Sequence, residues 1–272
     1  MKISKRIIVY LILFTGAVVM ILPFFWMFIS SLKTAAEVNT TPPTFWPKNL
    51  VLENYSYAFK KAPFATYFLN SIIVTVCCVV ITMFTTILAA FAFSRLKFPG
   101  REFIFSLLLS MMMVPFEMLI ITNYTTIVKM NLVDTLPALI IPFTSSIFYT
   151  YILRDFFLSI PDSLYSSARV DGSSNWRYLW KIMVPMAKPS LVTIGLLNTI
   201  SCWNSFLWTV IATNSTEVRT LPFGLYAFMT SSGIRYERLM AAATIVVLPM
   251  IVLFIFCRKS IITSVSRGGL KG

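Results

Sequence analysis

Apolar side chains fill this chain in six continuous stretches instead of alternating with polar ones: residues 7–31, 71–93, 103–123, 136–157, 191–212 and 239–257. Each approaches or passes the roughly 20 residues needed to cross a bilayer. Backbone groups in lipid must pair within their own segment, so runs of this kind predict six transmembrane helices. A membrane barrel would alternate and is excluded. The first stretch opens with cations as a signal peptide does, but it outlasts the roughly 7–15 apolar residues of a cleaved one, which predicts a retained signal-anchor helix. The expected fold is all-α and integral to the membrane, a single domain over residues 1–272.

Composition agrees: 57% of the 272 residues are hydrophobic and 12% charged, against about 25% charged in soluble domains. A net charge of +13 would suggest nucleic acid in a soluble protein. Cation placement explains part of it differently. With the N-terminus inside, the inside segments hold 15 of the 23 Lys and Arg and the outside segments 8. Cytoplasmic loops favour Lys and Arg, so both termini are placed in the cytoplasm, and nucleic acid is not an expected partner. Cys77, Cys78, Cys202 and Cys257 lie in or beside apolar runs without metal-ligand spacing and read as packing residues, so no metal site is expected. The absence of histidine removes histidine triads, metal sites and proton relays.

Polar residues inside the runs are the next candidates. Thr82, Thr86 and Ala90 repeat at four-residue spacing, a small-residue stripe for close helix approach, with packing inside one chain favoured over a dimer seam. Glu117 follows Pro115 within the third run. It is either a translocation-pathway residue touching polar solute or a group near the outer interface, bonded where the proline breaks the helix. Asn198 and Asn204 either bond across helices, the favoured reading, or line a pathway. Trp203 and Trp208 could stack on a sugar face; for Trp208 the membrane interface is favoured. No stretch has the phosphate-cradling G-x-x-x-x-G-K-[ST] pattern, and the terminal "RGGLKG" lacks its spacing. The chain is therefore not expected to be an enzyme or to hold a cofactor; any ATP and Mg must be bound by other subunits.

One inside loop, residues 158–190, differs in character. Pro161 suits the start of a short helix bearing Leu164, Ala168 and Asp171 on one face. Gly172 can adopt positive φ and end it. Ser173 or Ser174 can cap a second helix through Trp176, Leu179 and Lys181, stopped by Pro185 and Pro189. The second helix alone could instead lie on lipid through Trp176, Tyr178 and Trp180. The first is too small-sided and weakly apolar for that, and suits a groove on another protein. The prediction is a cytoplasmic helix–turn–helix.

This loop resembles the cytoplasmic E-A-A-x3-G-x9-I-x-L-P loop of ABC-importer membrane subunits, at Ser166, Ser167, Ala168, Gly172, Ile182, Val184 and Pro185. Ala168, Gly172, Ile182 and Pro185 match; Ser166 stands for the Glu, Ser167 for the first Ala, and Val184 for the Leu. "LENYSYAF", "ATYFLNSIIV", "MMMVPFE", "RVDGSSNW", "WNSFLW", "LMAAATIVVLPMIVLF" and "GGLKG" extend the similarity over nearly the whole chain, toward the smaller permease of maltose-type carbohydrate importers. The resemblance implies the ABC type I importer permease fold. Its partners would be a second, different permease, two ATPase subunits and an extracytoplasmic solute-binding protein, in a bacterial-type cell membrane. It also implies that Ser166, Ser167, Ala168, Asp171, Gly172, Ile182 and Pro185 couple to the ATPase. The tail at 266–272 would reach the ATPases, and the outside loop near 229–236 would approach the binding protein. A self-contained carrier driven by an ion gradient is the alternative, supported within the spans by Glu117 alone.

Overall fold

The computed structural model describes residues 3–230 and 233–268, with side chains described for 7–229 and 234–258. In chain order the helices are α1 (Ile3–Ser31), α2 (Ala35–Val38), α3 (Glu53–Lys61), α4 (Phe64–Arg95), α5 (Arg101–Met111), α6 (Phe116–Lys129) and α7 (Leu136–Ile140). They continue as α8 (Ile147–Leu158), α9 (Asp162–Val170), α10 (Asn175–Tyr178), α11 (Val184–Met186), α12 (Lys188–Trp203), α13 (Leu207–Ala212) and α14 (Tyr236–Gly268). A 3-10 turn, Ile141–Phe143, extends α7, and a π-helical turn, Leu179–Met183, joins α10 to α11. A 3-10 segment, Leu221–Phe228, leads into a short antiparallel hairpin of β1 (Met229–Thr230) and β2 (Gly233–Ile234).

Among the described residues three helices are long and apolar enough to cross a bilayer: Ile7–Ser31 in α1, α4, and Tyr236–Arg258 in α14, with mean hydropathies of 2.6, 2.6 and 2.8. The other apolar runs are interrupted. The third run is α5 and α6, bent by 99°, and the fourth is α7 with its 3-10 turn and α8, bent by 45°. The fifth divides into α12 and α13.

Each interruption has a local cause. Pro115 has no N–H to donate and disfavours helix at Val114, so α6 restarts from an extended Pro115 (φ −61, ψ 144). At the second break Ser146 is extended and its hydroxyl accepts from the Tyr149 N–H at 3.3 Å, a helix cap in mid-run. The carbonyls freed there are met from α4: Thr82 Oγ1 donates to Phe143 O at 2.5 Å and Thr85 Oγ1 to Thr144 O at 2.8 Å. At the third, Asn204 leaves helical geometry (φ −85, ψ 5), as residues that compete for backbone bonds do. Thr82, Thr86 and Ala90 are all buried within the chain, as intrachain packing requires.

The chain divides into two compact units. The first comprises Met1–Ala65 and Leu221–Val252. In it Asn54 Nδ2 donates to Ser31 O and Lys33 O, both at 2.9 Å, closing α3 onto the end of α1. Lys33 is buried; its Nζ donates to Thr44 O and lies 4.6 Å from the Trp26 ring centroid. Glu37 accepts from Thr44 Oγ1 and the Lys48 N–H, which pins the Pro-rich segment after α2.

The second unit comprises Thr66–Thr220 and Leu253–Gly272 and holds two apolar clusters. One joins Ile87 and Phe91 of α4, Leu153 and Phe157 of α8, Ala168 of α9, Tyr178, Leu179 and Met183, and Ile194 of α12. The other joins Val74 and Cys78 of α4 with Ile127, Ala138, Leu139, Trp208 and Ala212. Trp208 corrects an expectation. It is 1% exposed, not interfacial, and its indole N–H donates to Ala138 O at 2.9 Å. A buried indole needs such a partner, and α7 supplies it.

Candidate functional site

The loop after α8 contains two helical segments, α9 and α10, joined by a turn, but Pro185 and Pro189 do not stop the second: helical turns continue through Pro185 in α11, and Pro189 lies in the first turn of α12. Pro161 sets the entry angle, and Asp162 in the first turn of α9 faces the positive end of the helix dipole. The exit is a Schellman motif. Gly172 lies at φ +76, its N–H donates to Arg169 O at 3.1 Å, and the Ser173 N–H donates to Ala168 O at 2.9 Å. Ser174, rather than Ser173, caps α10 by accepting from the Arg177 N–H at 3.2 Å. Tyr165 Oη donates to Asn175 Oδ1 at 2.8 Å and its ring meets Tyr178 edge-on at 5.0 Å, so α9 folds back against α10. The ladder then widens: the Val184 N–H reaches back five residues to Leu179 O. Pro185 follows, unable to donate and crowding the carbonyl four residues behind it.

Burial sorts the candidate residues. Ala168 is buried and Ile182 is half-buried in the same cluster, so both hold the loop to the body. Ser166, Ser167, Asp171, Gly172 and Pro185 are exposed. Leu164 and Asp171 do not share the burial of Ala168. The free face of α9 instead carries Ser163, Ser166, Ser167 and Val170 at helical spacing, with Val170 88% exposed. The lipid-lying reading of the second helix does not fit its aromatics. Tyr178 is fully buried and Trp180 stacks on Phe84 at 6.2 Å, leaving Trp176 as the exposed ring of the three.

Two arginines that the sequence marked only as inside cations work beside this loop: Arg95 anchors its start, and Arg154 ties α8 to α4 and α5. The Arg95 guanidinium, 3% exposed, donates to Asp162 Oδ1 at 2.7 Å, Phe157 O at 2.7 Å and Ile160 O at 2.6 Å. Arg154 donates to Phe93 O at 3.0 Å and to both Glu102 carboxylate oxygens at 2.8 and 2.7 Å, with its guanidinium 4.1 Å from the Phe105 centroid.

The in-span candidates lie at the breaks or beside them. Glu117 is exposed in the first turn of α6 and Asn204 is exposed where α12 stops. Asn198 is buried, and its Oδ1 accepts from Cys202 Sγ at 3.4 Å. The three breaks converge: Phe116 lies 5.0 Å from Phe143 and 6.1 Å from Trp208, ring centroid to centroid. A small cavity beside them is lined by Cys78, Phe143, Cys202, Ser205 and Thr209. Of the loop near 229–236, which the sequence reading places outside, residues 231–232 lie outside the described residues, as do 269–272 of the tail.

A family model described as "Binding-protein-dependent transport system inner membrane component" matches residues 82–267, which include the whole loop and all three breaks. The chain belongs to this family. As an inner membrane component of a binding-protein-dependent transport system, it is similar to the arabinooligosaccharides transport system permease protein AraQ of Halalkalibacterium halodurans. The two are 31% identical, covering 94% of this chain and 93% of that one. It is 30% identical to the diacetylchitobiose uptake system permease protein NgcG of Streptomyces coelicolor, covering 94% and 86%. A crystal structure of a bacterial ABC transporter involved in import of the acidic polysaccharide alginate contains a chain of the same fold. There the TM-score is 0.80 at 23% identity, over 95% of this chain and 98% of the other.

Proposed function

We propose that this chain is the permease subunit of an ATP-driven ABC importer that carries a sugar or related polyhydroxylated solute into the cytoplasm. The family and the sugar-transport relatives support this over a self-contained, gradient-driven carrier. On this reading the bent pairs and the divided α12–α13 complete six spans, both termini are cytoplasmic, and residues 1–272 act as one permease domain. A second permease, two ATPase subunits that bind ATP and Mg, and an extracytoplasmic binding protein complete the assembly. The loop of α9 and α10 is the cytoplasmic coupling element, and the tail at 266–272 faces the ATPases.

The observation that carries the coupling reading is the outward face of α9. Three serines and an exposed valine stand clear of a helix whose inward face is held by Ala168 and Tyr165. Small side chains allow close docking in a groove. Ser166, Ser167, Asp171 and the Gly172 elbow supply the contacts, while Ala168, Ile182 and Pro185 set the loop's shape. Ser166 retains the capacity to hydrogen-bond where the resembled loops have Glu, but it lacks the charge that makes such a bond worth about 1.5–3 kcal/mol. Glu117 and Asn204, exposed at the breaks, are proposed pathway residues, with Asn198 supporting them from behind. Unpaired backbone at membrane depth is tolerated where it meets protein or a cavity.

A photocrosslinker at Ser167 in the assembled complex tests the reading. Capture of a nucleotide-hydrolysing subunit is the expected result; capture of phospholipid alone refutes it. Reconstitution gives the second arm: uptake by the chain alone under an ion gradient would replace the importer with a carrier.

A further inference from the structure

We infer that Arg95 and Arg154 form a reciprocal clasp that passes displacement of α9 into α4 and α8 as one body, which makes both positioning residues for energy coupling. The inference rests on the coupling reading above. Each helix leaves its last carbonyls without intrahelical partners. Here each of two neighbouring helix ends is satisfied by an arginine of the other. Arg95 of α4 reaches Phe157 O at the end of α8 and Ile160 O just beyond it. Arg154 of α8 reaches back to Phe93 O at the end of α4.

Burial decides which bonds matter. The Asp162 and Glu102 side chains are 87% and 62% exposed, so their ion pairs are screened and weak. The Arg95 guanidinium is 3% exposed, and a buried charge has no solvent to replace a lost partner. Its planar fork spans two carbonyls and a carboxylate at once, which a lysine ammonium on a flexible stem cannot do. Breaking the α4–α8 contact would strand that charge, so the two ends must move together with Ile160, which stands just before Pro161 and α9 in the chain.

The clasp also has a second point of purchase. Thr82 and Thr85, about 15–20 Å up α4 from Arg95, hold Phe143 O and Thr144 O shortly before α8. Helix α8 is therefore braced to α4 at both ends. A pull on α9 has no slack to take up before it reaches the break at Thr144.

The test uses the whole complex in proteoliposomes, with ATP hydrolysis, solute uptake, subunit retention and thermal midpoint measured together. Arg95→Lys should keep its ATPase subunits and continue to hydrolyse ATP while solute moved per ATP falls about tenfold, the equivalent of one charge-assisted bond. Arg154→Lys should fall in the same direction by less. Asp162→Asn should change the ratio by less than about threefold, because its pair is exposed. Wild-type ratios in both lysine variants overturn the clasp. So does a loss in Arg95→Lys that follows only its thermal midpoint and recovers at lower temperature. If Arg95→Lys does not assemble, Arg154→Lys decides by the same ratio. A wild-type complex without ATP-driven uptake would sink the coupling reading itself, a distinguishable failure.

Discussion

Replacing Gly172 with alanine isolates what the elbow costs the backbone. A Cβ at Gly172 meets no atom within 4 Å, so crowding contributes nothing. The penalty is the left-handed conformation itself, φ +76, which costs an L-residue about 1–2 kcal/mol. The two bonds that close the elbow, Gly172 N–H to Arg169 O and Ser173 N–H to Ala168 O, contribute about 0.5–1.5 kcal/mol each. The penalty therefore matches one bond and falls short of both. Alanine should leave α9 helical, because Ala168 and Tyr165 still seat it, but should raise the open fraction of the elbow about tenfold. Asparagine tolerates this conformation better and should fall between glycine and alanine. Hydrogen exchange at the Ser173 amide reads the opening directly, and ATP-driven uptake reads its consequence. Wild-type exchange in Gly172→Ala, or faster exchange in Gly172→Asn than in Gly172→Ala, would refute the assignment of the cost to positive φ.

Further outcomes follow from other contacts. Thr82→Val leaves the half-buried Phe143 carbonyl without its side-chain donor and should lower stability in detergent by about 1 kcal/mol, whereas Thr86→Val, whose hydroxyl has no partner among the described residues, should be neutral in the same melt. Gly224→Ala would place a Cβ 2.4 Å from Cε1 of the buried Phe64 and should destabilise by about 1–3 kcal/mol, with Phe64→Leu restoring part of the loss. Asp134 has its carboxyl held below the ordinary 3.8, chiefly by the Ser215 N–H, with burial opposing and the Asn214 N–H and Ser215 hydroxyl assisting. A carboxylate depressed in the fold stabilises fully above its unfolded value and loses that contribution as pH falls through its folded one. Exchange protection at residues 214–215 should thus hold at neutral pH, vanish only on strong acidification, and be absent at all pH in Asp134→Ala.

Most of the apolar framework was legible because lipid forces continuity, and continuity survives in a one-dimensional pattern. The first break was also legible, since Pro115 announces it. The others were not, because Thr144, Ser145, Ser146, Asn204 and Ser205 break a helix only when something else takes up the freed carbonyls. In the second case that is Thr82 and Thr85, 59–61 residues away in sequence. The elbow was readable for the opposite reason: Gly172 and Ser174 act within a few residues of themselves. The roles of Arg95 and Arg154 are not legible in the sequence because their partners lie 52–67 residues away. The available signal was an arginine placed where an apolar run ends, which suits a helix C-terminus as well as a cytoplasmic loop. Trp208 was misplaced by the same blindness. A tryptophan near the end of a span is ordinarily interfacial, and only the carbonyl of Ala138 makes burial affordable.

The third break gains meaning from what holds α13. Six residues cannot sustain a helix alone, and the bonds that fix this one do not come from α12. Its Trp208 donates to Ala138 O, its last carbonyl at Ala212 accepts from the Asp134 N–H at 2.9 Å, and Asp134 then secures Asn214 and Ser215 beyond it. Helix α13 therefore belongs mechanically to α7 and its preceding turn. Helix α12 belongs to the other side, with Leu191 and Ile194 in the cluster that also holds Ala168, Tyr178 and Met183 of the loop. Asn204, Ser205 and Phe206 are the covalent link between these two bodies. The link is itself bonded on both sides: the Asn204 N–H donates to Ile200 O at 3.1 Å, the Ser205 N–H to Cys202 O at 3.2 Å, and Phe206 O accepts from the Val210 N–H at 3.1 Å, so it splices α12 to α13 through backbone bonds. On the proposed reading the exposed Asn204 is a pathway residue at that splice, so solute contact and the end of α12 share one short piece of backbone.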